Sequence, residues 1–357
     1  MKVLMINTNY LEDNGVSTFI IGNSKLLARK GVAISVVAPN IVSENIKNDL
    51  KSSNVKLYEL PMRFSNSLLY FYKLYNLVKK NNYDIVHVNG SSGSMLLEVF
   101  ASYLAGVKVR IAHCHNTKTS HPFLNDCMNP LLELLVTNRF ACNYAAGKWL
   151  YGKRKFWVIK NGLVLNDYKY QNESGSKSDK VILGNVGRFN FQKNQEFLID
   201  LINQLDSKYV LLLVGSGDNF NSLRKMVREK GLRDRVIFTG TVDNVQDYLR
   251  KMDLFLFPSR YEGQPYSVIE ALASGLPILI SDRVSKEVSL AGKLKFIQID
   301  NVNDWVEVVN NFDYENSRIN RYKNSLSNIK ALKSKGYDLN TNVNDMLELY
   351  NSFVKDK

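Results

Sequence analysis

The sequence predicts an α/β protein made of two doubly wound domains, each with a parallel sheet, and three observations support this prediction. The chain has 357 residues, 45% of them hydrophobic, which suits two domains of roughly 150–180 residues with a core each. Short apolar runs of strand character alternate with helical segments, the pattern of parallel βαβ units. A polar stretch rich in Ser, Lys and Asn, residues 166–180, interrupts the alternation and is typical of a linker.

The first domain is expected to span residues 1–165. It opens with a buried strand, a polar loop and an amphipathic helix that ends at Gly31, and the next strand completes a βαβ unit. The strands predicted in this domain are 2–7, 32–39, 84–90, 109–116 and 155–162. The helices predicted between them are 18–31, 67–81, 94–105 and a segment near 127–142.

The second domain is expected to span residues 166–339. Its predicted strands, with helices between them, are 181–188, 209–217, 235–240, 254–259 and 277–281. A last amphipathic helix covers about residues 340–357. For two such domains, a ligand is expected in a cleft outside the carboxyl ends of the strands.

The charge of the chain is unevenly distributed. Residues 1–165 hold 20 Lys and Arg against 9 Asp and Glu, whereas residues 166–357 hold 27 against 25. A basic half indicates an anionic partner, which can be a nucleic acid, a membrane surface or a phosphorylated substrate. Composition alone does not choose among them.

The cysteines and the apolar runs predict a cytoplasmic protein. The three cysteines, Cys114, Cys127 and Cys142, are scattered without metal-ligand spacing and fit reduced thiols. The N-terminus runs directly into a strand rather than into the pattern of a signal peptide. No apolar run approaches the ~18 residues that a membrane-spanning helix needs.

Two cations follow the first strand of the second domain. Arg188 lies at the strand end and Lys193 just before the next helix, an arrangement that favours a diphosphate clamp, although two ordinary surface cations give the same pattern. The glycine turn at 214–219 lacks the full G-x-G-x-x-G pattern because residue 220 is Phe. This departure counts against a dehydrogenase.

Three histidines lie toward the ends of two predicted strands of the basic first domain, His87 in 84–90 and His113 and His115 in 109–116. Alternation places His113 and His115 on the same face, so a metal pair has to be considered. No third ligand is apparent, and a paired histidine in a core is the more frequent outcome. A structural role is favoured for His87.

Two glutamates flank a Gly-Gln-Pro turn in the stretch 261–282. Glu262 is expected at a strand tip, and Pro265 suits the first position of the helix that carries Glu270 one turn further on. Carboxylates at such an edge accept hydrogen bonds from sugar hydroxyls, and the turn suits a phosphate. A sugar nucleotide presents both groups. Because the sequence contains no Asp-x-Asp, neither a metal nor another cofactor is expected, and Arg188 with Lys193 would neutralise the diphosphate.

These motifs give the chain a resemblance to a known family over nearly its full length. It resembles the retaining glycosyltransferases of family 4 (group 1), and in particular the branch found in bacterial capsule and exopolysaccharide synthesis. The resemblance implies the GT-B fold, in which two Rossmann-like domains face a central cleft. It rests on EDNGVSTFI, DIVHVNG, RIAHCHN, VIKNGLVLNDY, GNVGRFNFQKN, LLLVGSG and FPSRYEGQPYSVIEALASGLPILISD.

The resemblance implies roles for the residues of the second domain. Glu262 would contact donor-sugar hydroxyls, and Glu270 would hold the ribose hydroxyls. Arg188 and Lys193 would bind the diphosphate and stabilise the leaving group. The turn Gly263, Gln264 and Pro265 would line the donor site, and the family commonly has Leu or Phe where this chain has Gln264.

The resemblance also implies roles in the first domain. Gly15 would lie in a loop that approaches the phosphates, although the family usually shows Gly-Gly where this chain has Asn14-Gly15. His115 is preferred to His113 as the cleft histidine near the donor sugar because it is closer to the strand tip. The last helix, from about residue 340, would pack back on this domain.

The implied reaction is metal-independent sugar transfer with retained anomeric configuration, and a UDP-sugar is the favoured nucleotide-sugar donor. The acceptor would be a polyprenyl-diphosphate-linked sugar or a saccharide. The basic first domain would meet an anionic membrane surface at the inner face of the cell membrane, through residues 63–80 or 148–157.

Two other interpretations stay open. A non-catalytic accessory subunit with the same fold would keep these motifs while stabilising a partner glycosyltransferase. A nucleic-acid-binding protein is suggested by charge alone, and no nucleic-acid partner is expected because no binding module is recognisable.

Overall fold

A computed structural model of the protein describes residues 1–12, 14–119, 121–171 and 180–355. The chain divides into two compact units, and the first combines Met1–Gly162 with Leu339–Lys357. The second unit is Leu163–Asp338. The sequence predicted that the first domain ends at residue 165 and the second at residue 339, which is three residues and one residue later than observed. Most of the expected linker, residues 166–180, lies outside the described residues.

The first unit contains a seven-stranded parallel sheet with the order β3-β2-β1-β4-β5-β6-β7. Its central strands are almost wholly buried, as expected for a parallel sheet covered by helices on both faces. The strands are β1 (Lys2–Asn7), β2 (Ala33–Ala38), β3 (Lys56–Glu59), β4 (Ile85–Gly90), β5 (Val109–Cys114), β6 (Asn138–Ala141) and β7 (Trp157–Val158).

In the part of the first unit that the structure describes, six helices connect these strands. Asparagine side chains cap several of them, because an amide oxygen can accept from the free backbone N–H groups of a first turn: Asn14 accepts from the N–H of Ser17, and Asn66 from that of Leu69. The helices are α1 (Gly15–Arg29), α2 (Glu44–Ser52), α3 (Ser67–Asn81), α4 (Leu96–Leu104), α5 (Pro122–Leu135) and α6 (Tyr144–Tyr151).

The prediction of a helix near residues 127–142 is wrong for the second half of that range. Helix α5 ends at Leu135, and residues 138–141 form β6, which pairs in parallel with β5. In this pairing Phe140 lies opposite His113. The pairing with β5 therefore decides the structure of residues 138–141, and the helical pattern of their sequence does not. Strand β7 covers only two of the residues expected at 155–162.

The second unit contains a six-stranded parallel sheet with the order β10-β9-β8-β11-β12-β13. Its strands are β8 (Val181–Val186), β9 (Tyr209–Val214), β10 (Val236–Gly240), β11 (Leu254–Phe257), β12 (Ile278–Ser281) and β13 (Leu294–Ile297). Its helices are α7 (Gln195–Gln204), α8 (Phe220–Glu229), α9 (Val245–Lys251), α10 (Tyr266–Ala273), α11 (Val302–Asn310) and α12 (Tyr314–Ser334).

The last helix, α13 (Leu339–Lys355), packs on α1 in the first unit. It buries Val343, Met346, Tyr350 and Phe353. The Tyr350 hydroxyl lies 2.5 Å from Nδ1 of His87, so a buried hydrogen bond ties this helix to strand β4.

Helices α3, α4 and α5 pack side by side, and each exposes large apolar side chains. Leu68, Phe123 and Leu134 are 85%, 82% and 79% exposed. We call this surface the apolar helix layer, and its exposed members are Leu68, Leu69, Tyr72, Phe100, Tyr103, Leu104, Phe123, Leu124, Leu131 and Leu134. Exposed apolar side chains on neighbouring helices commonly mark an interaction site.

Candidate active site

The site of the second unit forms where β8 and β11 end. These strands are neighbours in the parallel sheet, so the segments that follow them leave the sheet at the same edge. Arg188 and Lys193 lie in the segment after β8, and Glu262 lies in the segment after β11. The topology therefore brings together the cations and the carboxylate that the sequence separates by about seventy positions.

Lys193 and Glu262 form an ion pair with 2.7 Å between Nζ and Oε1. Their side chains are only 17% and 10% exposed, so water screens the pair less than it would at the open surface. The Lys193 ammonium also lies 4.8 Å from the centre of the Phe257 ring. This contact does not follow from the sequence, in which the two residues belong to separate motifs.

Arg188 lies in a more open position beside the glycine turn. Its Nη2 lies 3.3 Å from Oδ1 of the exposed Asp218, a contact of little energetic weight at the surface. Gly215, with φ of +129°, packs so closely that a Cβ atom there would lie 2.2 Å from the carbonyl oxygen of Gly187. The glycine turn therefore supports the backbone that carries Arg188.

Glu270 is buried on α10 within the second unit. The Tyr168 hydroxyl, from a short 3₁₀ turn at Leu165–Tyr168, donates to its Oε1 at 3.1 Å. Burial raises the pKa of Glu270 to about 7, although the hydrogen bond from Tyr168 and the charge of Lys193 act in the opposite direction. Tyr168 was not predicted as a site residue, because it lies in the polar stretch 166–180 that is typical of a linker.

The turn between the two glutamates is buried and fixed by hydrogen bonds. Gln264 donates from Nε2 to the hydroxyl of Tyr337 at 2.7 Å. Gly263 and Pro265 are also buried. Pro265 is the N-cap residue of α10 with an extended backbone, so the expectation that it occupies the first helical position is wrong by one residue.

His87, His113 and His115 of the first unit stack on one another, and the first two are fully buried. His87 Nε2 lies 3.1 Å from His113 Nδ1, and the ring centres of His113 and His115 are 4.1 Å apart. Burial lowers the pKa of His87 and His115 to about 3, so both rings are neutral at physiological pH. His113 is fully buried, whereas His115 is half-buried, which separates the two histidines that the sequence left in competition.

The proton of His115 is placed by Asn89. Asn89 uses its amide nitrogen toward the carbonyls of Ile6 and His87, which leaves Oδ1 to face His115 Nε2 at 3.0 Å. His115 therefore donates from Nε2 and keeps a lone pair on Nδ1.

Gly15 is the first residue of α1, so the expectation that it belongs to the preceding loop is wrong. The Asn14 side chain completes the start of this helix, with its oxygen 3.0 Å from the N–H of Ser17. The helix thus begins three residues earlier than the sequence indicated, because an N-cap asparagine allows a glycine to open it.

No cluster of three or more His, Cys, Asp or Glu in residues 1–12, 14–119, 121–171 and 180–355 has the arrangement to hold a metal ion. Among the helices of the same ranges, none combines the length and the apolar character that crossing a bilayer requires.

Family models match both units. The model of glycosyl transferases group 1 matches residues 167–330, and the model of glycosyltransferase family 4 matches residues 13–165. The matched halves carry the glutamates, the cation pair and the histidines described above. The chain belongs to the family 4 (group 1) glycosyltransferases, and it is a glycosyltransferase.

Individual relatives and solved structures agree with this assignment. EpsF of Bacillus subtilis (strain 168), named as a glycosyltransferase, is 29% identical over 315 residues, 80% of each chain. An Escherichia coli UDP-Gal:alpha-D-GlcNAc-diphosphoundecaprenol alpha-1,3-galactosyltransferase is 28% identical over 234 residues, 58% of this chain and 60% of the relative. Anabaena HepE in complex with UDP-glucose superposes with a TM-score of 0.80 at 19% identity, over 99% of this chain and 100% of HepE. The fold is that of GT-B glycosyltransferases.

Proposed function

We propose that the protein is a retaining, metal-independent glycosyltransferase that moves a sugar from a UDP-sugar to a lipid-linked or saccharide acceptor during the synthesis of a cell-surface polysaccharide. The observation that carries the proposal is the grouping of Lys193, Glu262, Arg188 and the buried Glu270 in the second unit. This set offers cations for a diphosphate and carboxylates for hydroxyls.

The nucleotide binds the second unit. Glu270 accepts hydrogen bonds from the ribose hydroxyls, and Arg188 and Lys193 hold the diphosphate. Lys193 then exchanges its 2.7 Å contact with Glu262 for a phosphate oxygen. Glu262 is thereby released to accept from hydroxyls of the donor sugar, and the buried turn Gly263–Pro265 shapes its surroundings.

The first unit contributes His115 and the start of α1 at Gly15. The lone pair on Nδ1 of the neutral His115 ring accepts from a sugar hydroxyl, since Nε2 is committed to Asn89. Because this ring does not become charged near pH 7, it works as a hydrogen-bonding group rather than as a general acid.

Catalysis comes from positioning and from stabilising the departing charge. The acceptor hydroxyl attacks the anomeric carbon on the face from which UDP departs, so that the C–O bond to UDP breaks as the new C–O bond forms. The acceptor proton passes to the departing diphosphate. Two cations at the diphosphate take the place that a divalent metal has in other transferases.

The acceptor is proposed to be lipid-linked and the protein to work in the cytoplasm, at the inner face of the cell membrane. The Escherichia coli relative carries a diphosphoundecaprenol acceptor in its name. The apolar helix layer includes the exposed face of residues 63–80 and is accompanied by the exposed Lys73, Lys79 and Lys80. Apolar side chains beside cations match the boundary of an anionic bilayer.

Product analysis tests the proposed function. The purified protein is incubated with UDP-sugars in EDTA, with a saccharide or a polyprenyl-diphosphate-linked sugar as acceptor, and the product is examined by NMR. We expect transfer with an α-linkage from an α-linked donor. Inversion, or activity that appears only when Mg²⁺ is restored, contradicts the mechanism. Binding of UDP without transfer to any acceptor, combined with activation of a partner transferase, supports the accessory-subunit alternative.

A further inference from the structure

The turn that carries Tyr168 is held firmly within the second unit. Leu165 is fully buried, and the Asn166 side chain accepts from Lys333 Nζ at 3.3 Å. The Asp167 carbonyl lies 3.5 Å from Nη2 of Arg250. Because the turn contacts both α10 and α12, the Tyr168 ring has a fixed position beside α10.

The Tyr168 hydroxyl has a specific partner in the Glu270 carboxyl group. Among the residues that the structure describes, Tyr168 is the side chain that donates a hydrogen bond to this group, at 3.1 Å to Oε1. The ring alone would fill the space beside α10 equally well as phenylalanine. The hydroxyl therefore acts on the carboxylate rather than on the packing.

The charged and titratable groups around Glu270 define what this hydrogen bond does. Lys193 faces Glu270 from the segment before α7, Tyr266 lies one turn earlier on α10, and Asp167 precedes Tyr168 on the turn. Burial favours the neutral carboxylic acid and raises the pKa of Glu270 to about 7, while Tyr168 and Lys193 favour the carboxylate. A protonated Glu270 has one oxygen fewer with which to accept from hydroxyls.

We infer that Tyr168 is a positioning residue of the nucleotide site, whose hydroxyl holds the Glu270 carboxylate ionised and oriented so that it accepts both ribose hydroxyls of UDP. The inference rests on the proposed function, since it takes Glu270 as the ribose-binding residue. The Tyr168 hydroxyl occupies one lone pair of Oε1, and the ribose hydroxyls use the remaining lone pairs of the two oxygens.

Calorimetry of UDP binding between pH 6 and 8.5 tests the inference on the full-length protein. The parent is expected to have its highest affinity for UDP at pH values above the pKa of Glu270. Its affinity should fall as the pH drops through about 7 and the carboxylate becomes protonated. Tyr168→Phe removes a group that lowers this pKa, so the fall begins at a higher pH and UDP binds on the order of tenfold more weakly at pH 7. Titration of the UDP phosphate affects parent and variant equally, so the difference between them isolates the carboxyl group.

Two control variants make the result specific. Tyr170→Phe removes a hydroxyl two residues away whose ring packs on Arg321, and it is expected to leave the pH profile unchanged. In a Glu270→Gln background, Tyr168→Phe is expected to add no further change in the pH profile, because the titrating group is absent.

Three outcomes separate the inference from the proposed function. A shifted midpoint for Tyr168→Phe alone supports the inference. If UDP binds the parent but Tyr168→Phe changes neither affinity nor midpoint, Tyr168 only packs and the inference is overturned, while the proposed function stands. If UDP fails to bind the parent at every pH, the proposed function itself is wrong.

Discussion

Lys193 and Glu262 pair with each other although the family resemblance assigns them to different parts of the donor. Their 2.7 Å contact keeps both charges compensated in a partly buried position until a diphosphate replaces one partner. From the sequence, the types of both residues and their location at strand ends could be predicted, since those follow from local patterns. Their contact could not, because it depends on the neighbouring placement of β8 and β11.

The cation pair is expected to dominate the chemical step. Lys193→Ala and Arg188→Ala are each expected to lower kcat by about 10²-fold or more, because each removes a positive charge from the departing diphosphate. The melting temperature should change little for Arg188→Ala, whose ion pair is exposed. Steady-state kinetics in EDTA provide the measurement, and activity within twofold of the parent for both variants would count against the clamp.

The two glutamates are expected to respond differently to two ligands. Glu270→Ala should weaken UDP and the UDP-sugar alike, because both carry the ribose. Glu262→Ala should weaken mainly the UDP-sugar, and its affinity for UDP should stay equal or rise, because Lys193 no longer has a competing carboxylate. Calorimetry with both ligands checks this, and parallel losses for the two variants would defeat the assignment.

At the level of elements, the strongest sequence patterns predicted the structure best. Helix α3 matches its expected range of 67–81, and strand β1 matches 2–7. The short elements β3 and β13 were missed because each has only four residues at or near the edge of a sheet. Tyr168 was missed for a related reason: a polar segment gives no sign that one of its side chains reaches a buried carboxylate on α10.

Helix α10, which carries Glu270, is followed after its C-cap residue Ser274 by a constrained glycine. Gly275 has φ of +71°, and a Cβ atom there would lie 2.4 Å from the backbone oxygen of Arg321. Gly231 follows the C-cap residue of α8 in the same way, with φ of +68°, but a Cβ atom there would have no atom within 4 Å. Both glycines have a left-handed backbone, but only Gly275 has atoms close to the Cβ position. Comparing substitutions at the two positions therefore separates the cost of backbone strain from the cost of steric overlap.

Alanine at these two positions should therefore have unequal effects. Gly231→Ala is expected to cost about 1–2 kcal/mol of unfolding free energy from the left-handed backbone alone. Gly275→Ala should cost about 1–3 kcal/mol more, because the backbone of α12 has to move. Chemical denaturation measures the unfolding free energy of both variants. Equal losses of unfolding free energy would mean that the atoms around Gly275 move aside without an energetic cost.

At the level of the whole molecule, the charge of the first unit and its apolar helix layer are proposed to act together at a bilayer. Flotation with phosphatidylglycerol vesicles should weaken as salt rises, since attraction of about 1 kcal/mol per basic residue is screened over a Debye length of ~8 Å. Replacing Lys73, Lys79 and Lys80 by Gln should reduce flotation while leaving UDP affinity unchanged. Transfer to a lipid-linked acceptor should drop, and transfer to a water-soluble one should survive.

A second charge-reduced variant controls for net charge. Lys286, Lys293 and Lys295 are exposed on the second unit, and replacing them by Gln removes the same charge without touching the apolar helix layer. Flotation of this control should match the parent. If both triple variants float alike, residues 63–80 are ordinary packed helix and the basic excess of the first unit has another cause.

The return of α13 to the first unit also determines when the protein completes its folding during synthesis. The second unit, Leu163–Asp338, is uninterrupted and has all its residues before α13 is made. The first unit cannot bury Tyr350 against His87 until α13 leaves the ribosome. At ~5–20 residues per second, the 195 residues after Gly162 take on the order of 10–40 s. The half of the protein that is translated first is thus the half that is finished last.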